Sequence, residues 1–339
     1  DFDAGTLFTR SASGIMLKGW AESSPFTPQK DPCYRFPAWM ADIVAWMACG
    51  HDPLYLFGPT GCGKTSCVKQ IMHALNYPVY ELTGHSRLEF PEMVGHHTVQ
   101  NGSMHYEYGP LTLAMKQGGI FLLNEIDLLD PSTAAGLNSI LDGYPLTIAE
   151  NGGELVTPHP MFRFVATANS NGGSDHTGLY QGVLRQNMAF MDRFMLVECS
   201  YMSEEEELDI VKKHAAGTLD DATLVQMIRY ANAVRRLFMG HDAEDMDAAI
   251  EVTFSTRTLI RWVLLADMFR RVDCDRLQRI EFILADVFMV EDLDHLLSGD
   301  HFLNVAVQGT QGTLLADEIT AGLSCQIFGG EHHAQDGDH

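Results

Sequence analysis

The sequence predicts an α/β fold in which a parallel sheet is flanked by helices, followed by a smaller region made only of helices. The apolar run Leu54–Phe57 leads directly into a glycine-rich stretch, residues 58–65, and residues 66–74 then show helical spacing. A second apolar run, within residues 119–127, ends in polar side chains, as central parallel strands do where they meet a ligand. From Ser203 onward helical periodicity dominates, which predicts the second region.

Residues 58–65 read GPTGCGKT and fit the pattern G-x-x-x-x-G-K-[ST]. Glycines at these positions let backbone N–H groups turn toward a phosphate chain, and the following helix N-terminus adds unpaired N–H groups and a positive dipole end. We therefore predict a nucleotide site in which Lys64 reaches the β and γ phosphates and the Thr65 hydroxyl binds Mg²⁺. The predicted nucleotide-binding residues are Gly58, Pro59, Thr60, Gly61, Cys62, Gly63, Lys64 and Thr65.

The second apolar run, GIFLLNEID, places Asn124 and Glu125 at the end of the predicted strand. Nucleotide hydrolases of this kind usually carry Asp-Glu there, because the aspartate holds Mg²⁺ and the glutamate orients and deprotonates the attacking water. We predict Glu125 as the base and Asn124 as a metal-site residue that lacks the usual charge. On the sequence alone, Asn124→Asp is expected to lower the Mg²⁺ concentration needed for activity. A further β run ends at Asn169, whose amide is suited to hold the attacking water.

Two hairpins are predicted from turn chemistry. Asn101-Gly102, between stretches rich in Val, Tyr, His and Thr, is a strong signal for a two-residue turn, and Asn151-Gly152-Gly153 marks a second. Three histidines lie in the first hairpin, but no cysteine or closely spaced carboxylate accompanies them at ligand spacing, so exposed positions are favoured over a metal site. These histidines are His96, His97 and His105.

Composition narrows the function classes. The chain has 339 residues, of which 46% are hydrophobic and 20% are charged. This length and composition favour two packed units. The formal net charge is -23. This acidic balance disfavours a nucleic-acid-coating surface and a DNA-translocating motor, since phosphate binding depends on Lys and Arg. Seven cysteines without a C-x-x-C pair suggest neither a zinc site nor a disulfide framework. With no apolar stretch of membrane-spanning length and no secretory signal, the expectation is a soluble cytoplasmic protein without a membrane partner.

The order of these features, together with Ala-Thr-Ala-Asn and Asp-Arg-Phe, resembles AAA+ ATPases, in particular their MoxR branch. The segments HPMFRFVATAN, DHTGLYQG and QNMAFMDRF look most like the CobS-type ATPase subunit of aerobic cobaltochelatase. The resemblance covers residues 36–272. It implies a P-loop AAA+ core, a parallel five-stranded sheet with β-hairpin inserts, and a small all-helical lid. The implied organisation is an N-terminal arm at 1–35, the core at 36–200, the lid at 201–305 and a tail at 306–339.

The resemblance also assigns roles at matching positions. It makes Glu125 the catalytic base, Asn169 the first sensor and Arg193 an arginine finger that reaches the neighbouring subunit's γ phosphate. The alternative for Arg193 is a surface salt bridge of little energetic weight. Arg257 matches the second sensor at the start of a lid helix, although Thr256 replaces the proline that is usual before this arginine.

Together these features lead to the expectation of a ring of six identical subunits that hydrolyses ATP with Mg²⁺ between subunits. The hairpins would couple hydrolysis to a partner protein, by resemblance one with a von Willebrand factor A domain. Two alternatives stay open at this point. The chain could be the ATPase subunit of a cobalt or magnesium-type chelatase, or a nucleotide-binding scaffold with weak turnover, which the replacement of aspartate by Asn124 motivates.

Overall fold

The computed structural model describes residues 1–271, apart from residues 10, 51, 174–182, 216, 218 and 239–253. The chain divides into two compact units between Met202 and Ser203. The expected tail, residues 306–339, lies outside the described residues. Residues 277–297, for which the sequence pattern predicts a further helix, also lie outside them.

The first unit begins with three short elements and continues as alternating strands and helices. The short elements are β1 (Phe2–Asp3), α1 (Ala4–Phe8) and β2 (Met16–Leu17). They are followed by α2 (Met40–Cys49), β3 (Leu54–Phe57), α3 (Lys64–Ala74), β4 (Val79–Thr83), α4 (Phe90–Val94), β5 (Gly95–Gln100), β6 (Ser103–Tyr108), α5 (Pro110–Gln117), β7 (Ile120–Asn124), α6 (Pro131–Ala135), α7 (Asn138–Leu141), β8 (Leu146–Ile148), β9 (Glu154–Val156), β10 (Arg163–Ala168), α8 (Met188–Met191) and β11 (Met195–Glu198). Short 3₁₀ helices follow β7 and β8, at Ile126–Leu128 and Ala149–Asn151.

Among the described residues, five strands form one parallel sheet in the order β11-β3-β10-β7-β4. The composition of β7 explains its central place. Phe121 and Leu123 belong to the apolar core on one face of the sheet, whereas Ile120 and Leu122 belong to the core on the other. Because side chains alternate across a strand, a strand buried on both faces needs apolar residues throughout. The predicted five-stranded parallel sheet is confirmed.

The parallel arrangement brings the carboxyl ends of the strands to one edge of the sheet. The register pairs Ala168 of β10 with Phe57 of β3, and Thr83 of β4 with Asn124 of β7. The segments that follow β3, β7 and β10 therefore lie side by side along this edge. They carry the predicted phosphate loop, catalytic base and first sensor, at the place where open α/β sheets bind ligands.

The N-terminal segment packs along the sheet, a feature that its irregular sequence did not predict. The backbone N–H of Trp20 donates to the carbonyl of Leu75 (2.9 Å), and the N–H of Val79 donates to the carbonyl of Phe26 (2.9 Å). The Phe26 ring also lies 4.6 Å from that of Tyr80, centroid to centroid. This segment thus covers part of β4, which is an edge strand with otherwise unpaired backbone groups.

Both predicted hairpins are present. β5 and β6 pair antiparallel, and the turn residues Asn101 and Gly102 have positive φ angles of 53° and 79°, as a two-residue type I′ turn requires. β8 and β9 pair antiparallel in the second hairpin. His97 Nε2 donates to the carbonyl of Glu150 at 2.9 Å, which links the two hairpins. The hairpin histidines are exposed: His96, His97 and His105.

One helix differs from its predicted form. The sequence pattern of residues 131–141 predicts one continuous helix, but α6 and α7 are separate short helices. The N–H of Gly136 bonds to the carbonyl of Thr133, and that of Leu137 to Ala134, so hydrogen bonds tighten to three-residue spacing between the two helices.

The second unit contains α9 (Glu204–His214), α10 (Asp221–Phe238) and α11 (Thr256–Arg271) among its described residues. A serine followed by the acidic run of residues 204–207 predicts a helix cap at Ser203, and Ser203 does cap α9. The cap is reciprocal: the Ser203 N–H donates to Glu206 Oε2 (3.0 Å), and the Ser203 hydroxyl accepts from the Glu206 N–H (3.3 Å). The three helices share an apolar core formed by Val211, Leu224, Ile228, Leu259 and Val263, with others. Within the described part of the chain, no helix has the length and apolar composition that crossing a membrane requires.

A buried ionic network joins these three helices. Arg235 Nη1 and Nη2 donate to Glu207 Oε2 and Oε1 at 2.8 and 2.9 Å, and their side chains are 2% and 0% exposed. Arg235 Nε donates to the carbonyl of Phe254 (2.6 Å), and the Thr256 hydroxyl donates to Glu207 Oε1 (2.7 Å). A buried ion pair needs such additional hydrogen bonds to offset the loss of hydration. The network fixes the start of α11.

Candidate functional site

The glycine-rich loop connects β3 to α3 and depends on left-handed backbone. Gly58, Gly61 and Gly63 have φ angles of 151°, 71° and 97°. A Cβ atom on Gly58 would lie 2.0 Å from the carbonyl oxygen of Cys199, so only glycine fits there. Tyr201 lies just after β11, and its hydroxyl donates to the carbonyl of Thr60 at 2.7 Å, which stabilises the loop.

Lys64 is buried at the first position of α3, where its ammonium bonds to the loop itself. Nζ donates to the carbonyls of Gly58 (2.6 Å) and Pro59 (3.0 Å) and to Oδ1 of Asn169 (3.1 Å). Burial lowers the pKa of Lys64 from its ordinary value. Burial also raises the pKa of the neighbouring Cys62 thiol, which keeps that loop residue protonated. The structure thus brings together the predicted phosphate-binding lysine and the predicted first sensor.

Asn124 lies at the centre of a polar cluster at the end of β7. Its Oδ1 accepts hydrogen bonds from the hydroxyls of Thr65 (2.6 Å) and Thr167 (3.0 Å). Its Nδ2 donates to Glu81 Oε1 at 2.7 Å, and Glu81 Oε2 pairs with Lys69 Nζ at 2.6 Å. Sequence reasoning found Thr65 and Asn124 but missed Glu81. The available signal was a carboxylate within the otherwise apolar start of β4.

Glu125 follows Asn124 directly and is exposed at the edge of the sheet. Its backbone is left-handed, with φ 54° and ψ 43°, which is unfavourable for a residue with a side chain. The adjacent backbone is tightly packed: the N–H of Gly84 donates to the carbonyl of Asn124 at 2.7 Å, and a Cβ atom on Gly84 would lie 2.6 Å from the Glu125 carbonyl oxygen. Strained backbone of this kind is concentrated at functional sites.

Asp127 is a second acidic residue that sequence reasoning did not assign. It is fully buried, and its Oδ2 accepts from the backbone N–H groups of Asn169 (2.9 Å) and Ser170 (3.1 Å). Oδ1 has no hydrogen-bond partner within the part of the chain that the structure describes. Asp127 therefore fixes the backbone that carries Asn169, two hydrogen bonds away from the lysine ammonium.

The hydrogen bonds of Arg193 go to residues outside this cluster. Arg193 donates from Nε to Asp142 Oδ1 (2.8 Å) and from Nη2 to Asp142 Oδ2 (3.1 Å), and from Nη1 to the carbonyl of Ala189. Its side chain is 27% exposed. Arg257 is the second residue of α11 in the other unit and is exposed.

The donor set fits a magnesium nucleotide. The Thr65 hydroxyl and the Asn124 carbonyl are hard oxygen donors, which Mg²⁺ prefers, and the carboxylate of Glu81 lies directly behind them. The left-handed loop and the N-terminus of α3 present backbone N–H groups suited to phosphates, with the Lys64 ammonium beside them. Fold and site together define a P-loop nucleotide-binding protein.

Comparison with known proteins specifies this class further. A family model described as AAA domain (dynein-related subfamily) matches residues 53–194, and one described as CbbQ/NirQ/NorQ C-terminal matches residues 207–279. The denitrification regulatory protein NirQ of Stutzerimonas stutzeri is 31% identical over 208 residues, which cover 61% of this chain and 72% of that protein. Aerobic cobaltochelatase subunit CobS of Sinorhizobium sp is 26% identical, with coverage of 81% and 87%.

Protein NorQ of Paracoccus denitrificans is 28% identical over 66% of this chain and 77% of that protein. Among solved structures, NtrX of Brucella abortus aligns at 16% identity with a TM-score of 0.47, over 83% of this chain and 62% of that one. The chain belongs to the MoxR-type AAA+ ATPases, the group that contains NirQ, NorQ and CobS, and it is an ATP hydrolase.

Proposed function

We propose that this ATPase works as a ring, of six subunits, that uses ATP hydrolysis between subunits to remodel or activate a partner protein. The observation that carries the proposal is the division of the site. Within one chain, Lys64 of the loop bonds to Asn169, whereas the hydrogen bonds of Arg193 go to Asp142 and Ala189. The bidentate ion pair holds this guanidinium in a partly exposed position, from which it would reach the nucleotide of an adjacent subunit.

Within one subunit, the loop would hold the phosphates of ATP and Lys64 would exchange its carbonyl partners for phosphate oxygens. Thr65 and Asn124 would hold Mg²⁺ through the hydroxyl and the amide carbonyl. Mg²⁺ bound with ATP neutralises phosphate charge. Because Asn124 is uncharged, its contribution to this site is orientation.

Glu125 would act as the general base, since an exposed carboxylate at the strand end can accept the proton of an attacking water. Asn169 would orient that water, and its backbone is already fixed by Asp127. Arg193 would stabilise the charge that develops on the neighbour's γ phosphate. Arg257, at the start of α11, would act as the second sensor, an arginine that binds the phosphates of the nucleotide.

The proposed partner is a protein with a von Willebrand factor A domain, following the MoxR-type resemblance. The hairpin β5–β6 offers the contact surface. Val99 and Met104 are register partners in this hairpin and are 73% and 68% exposed, so the hairpin presents an apolar pair to solvent. Coprecipitation from the native cell tests this part, since the partner retained by the intact chain should be lost after Val99→Ser with Met104→Ser.

A second candidate is the ATPase subunit of a cobalt or magnesium-type chelatase. It is favoured by the similarity to CobS, which extends over 87% of that protein. Metal insertion into a corrin or porphyrin ring, assayed with the other chelatase subunits, distinguishes it from the remodelling of an unrelated partner. Neighbouring genes that encode such subunits would favour the chelatase.

The ring is tested by mixing two inactive variants. Arg193→Ala removes the finger and Lys64→Ala removes phosphate binding, so each variant damages a different half of a shared site. We expect a loss of about 10³-fold in turnover for Arg193→Ala alone. The mixture should exceed either variant and should gain activity as total protein rises and rings form.

Asp142→Ala is the matched control, because it breaks the same ion pair but keeps the arginine. We expect it to retain most activity, since an exposed ion pair contributes about 0–1 kcal/mol. An Arg193→Ala protein that assembles and hydrolyses ATP at the parent rate would exclude the finger role.

A further inference from the structure

Glu81 makes an unusual contact for a residue of this sheet. It lies on β4, two positions before Thr83, which is the register partner of Asn124. Since side chains two residues apart share a face of a strand, Glu81 faces the same side as the end of β7. Its Oε1 lies 2.7 Å from Asn124 Nδ2, and its Oε2 lies 2.6 Å from Lys69 Nζ.

This contact determines which way the amide of Asn124 points. An ionised carboxylate only accepts hydrogen bonds, so the amide nitrogen must face Glu81 and the carbonyl must face the hydroxyls of Thr65 and Thr167. Lys69 pairs with the other oxygen of the same carboxylate, at 2.6 Å. The amide orientation is thus a consequence of the carboxylate on the neighbouring strand.

We infer that Glu81 is a positioning residue for the proposed Mg²⁺ site and supplies, through the Asn124 amide, the negative charge that Asn124 itself lacks. This inference rests on the proposed role of Thr65 and Asn124 in holding the ion. The carboxylate polarises the amide toward Glu81, which makes the carbonyl oxygen a better acceptor. It also adds a negative charge close to the place where a divalent cation would bind.

The same contact changes the expectation for Asn124→Asp. An aspartate there would place a carboxylate oxygen where Nδ2 now lies, 2.7 Å from Glu81 Oε1. Two carboxylates at that distance repel each other. The aspartate should therefore strengthen metal binding only when Glu81 is neutralised in the same protein.

The test is a set of full-length variants titrated with Mn²⁺ as the probe, in the presence of a non-hydrolysable ATP analogue. Free Mn²⁺ is followed by electron paramagnetic resonance, and the analogue without protein gives the baseline. Glu81→Gln should raise the Mn²⁺ concentration for half-saturation about three- to tenfold, the scale of one partly screened charge. Asn124→Asp alone should not tighten binding, and Asn124→Asp with Glu81→Gln should return it to within about twofold of the parent.

Lys69→Met separates charge from structure. Both Lys69→Met and Glu81→Gln break the same ion pair, so a structural role would weaken binding in both. If Glu81 instead acts through its negative charge, the two variants should change Mn²⁺ affinity in opposite directions. Loss of Lys69 leaves the Glu81 carboxylate less neutralised, so Lys69→Met should tighten Mn²⁺ binding. Thermal unfolding of each variant without nucleotide shows whether it is folded.

Three results would overturn the inference. They are equal half-saturation for the parent and Glu81→Gln, weaker binding in Lys69→Met, and an Asn124→Asp protein that binds more tightly than the parent. Thr65→Val distinguishes this failure from failure of the proposed metal site. If Thr65→Val weakens Mn²⁺ binding and Glu81→Gln does not, the site stands and only the role of Glu81 is excluded. If neither changes binding, both are excluded.

Discussion

Glu125 shares a rare backbone conformation with two asparagines. Among the described residues other than glycine, positive φ angles occur at Asn76, Asn101 and Glu125. Asparagine tolerates this region because its short side chain bonds locally, whereas a glutamate there costs about 1–3 kcal/mol. The abrupt turn from β7 into the 3₁₀ helix directs Glu125 out of the sheet edge, beside the polar cluster of Asn124. The strained backbone of Glu125 therefore has a functional explanation if this carboxylate deprotonates the attacking water.

At this scale we predict that Glu125→Gln keeps ATP binding and loses turnover by about 10²–10⁴-fold, because an amide of the same shape cannot accept the water's proton. Binding is measured with a fluorescent ATP analogue and turnover by phosphate release. Glu107→Gln makes the same chemical change at an exposed hairpin position and should leave both unchanged. Parent-level hydrolysis in Glu125→Gln would remove this residue from the mechanism.

The start of α11 is held by a hydrogen bond from the Thr256 side chain. Thr256 stands where the family usually has proline, and its hydroxyl donates to the buried Glu207. Proline could not make this bond, so the substitution has a structural explanation in the network with Arg235. The network positions the helix that carries Arg257 and therefore links lid stability to the proposed second sensor.

For this element we expect Thr256→Val to lower lid stability by about 1–3 kcal/mol, since a buried carboxylate oxygen loses one hydrogen bond. Thr256→Ser keeps the hydroxyl and should stay near the parent. Hydrogen exchange of backbone amides in α9 and α11 reports on the second unit separately from the first. Equal exchange in the valine and serine variants would show that this hydroxyl has no such role.

The whole molecule carries a formal net charge of -23, which matters most when identical copies come together. Like-charged subunits repel at long range, and salt screens that repulsion over about 10 Å at 0.1 M. A closed ring of such subunits must overcome it with short-range contacts, of which the proposed finger is one. Assembly should therefore depend on ionic strength as well as on nucleotide.

We predict that, with ATP bound, the association of subunits strengthens severalfold between about 0.05 and 0.3 M salt. Sedimentation velocity of the Glu125→Gln variant measures this without turnover of the nucleotide. A low-salt buffer that contains sucrose, at the density of the high-salt buffer, controls for the effect of solvent density on sedimentation. Dissociation of the ring by added salt would mean that specific ion pairs between subunits outweigh the overall repulsion.

Much of this protein was determined by local sequence. The loop GPTGCGKT, the Asn124-Glu125 strand end, the turn at Asn101-Gly102 and the cap at Ser203 each depend on residues a few positions apart. Glycine placement, hydrogen-bonding caps and alternating apolar residues fix backbone conformation over that distance. The parallel sheet and the separate helical unit follow from the same local patterns.

Only the tertiary structure decided which side chains meet. Glu81 and Asn124 are 43 residues apart, and Asp127 and Asn169 are 42 apart. Alternation along a strand predicts which face a residue occupies, but the neighbour on that face depends on the strand order β11-β3-β10-β7-β4. That order is set by how the crossover helices pack on both faces of the sheet, so no local pattern reveals that a carboxylate from β4 lies against the amide at the end of β7.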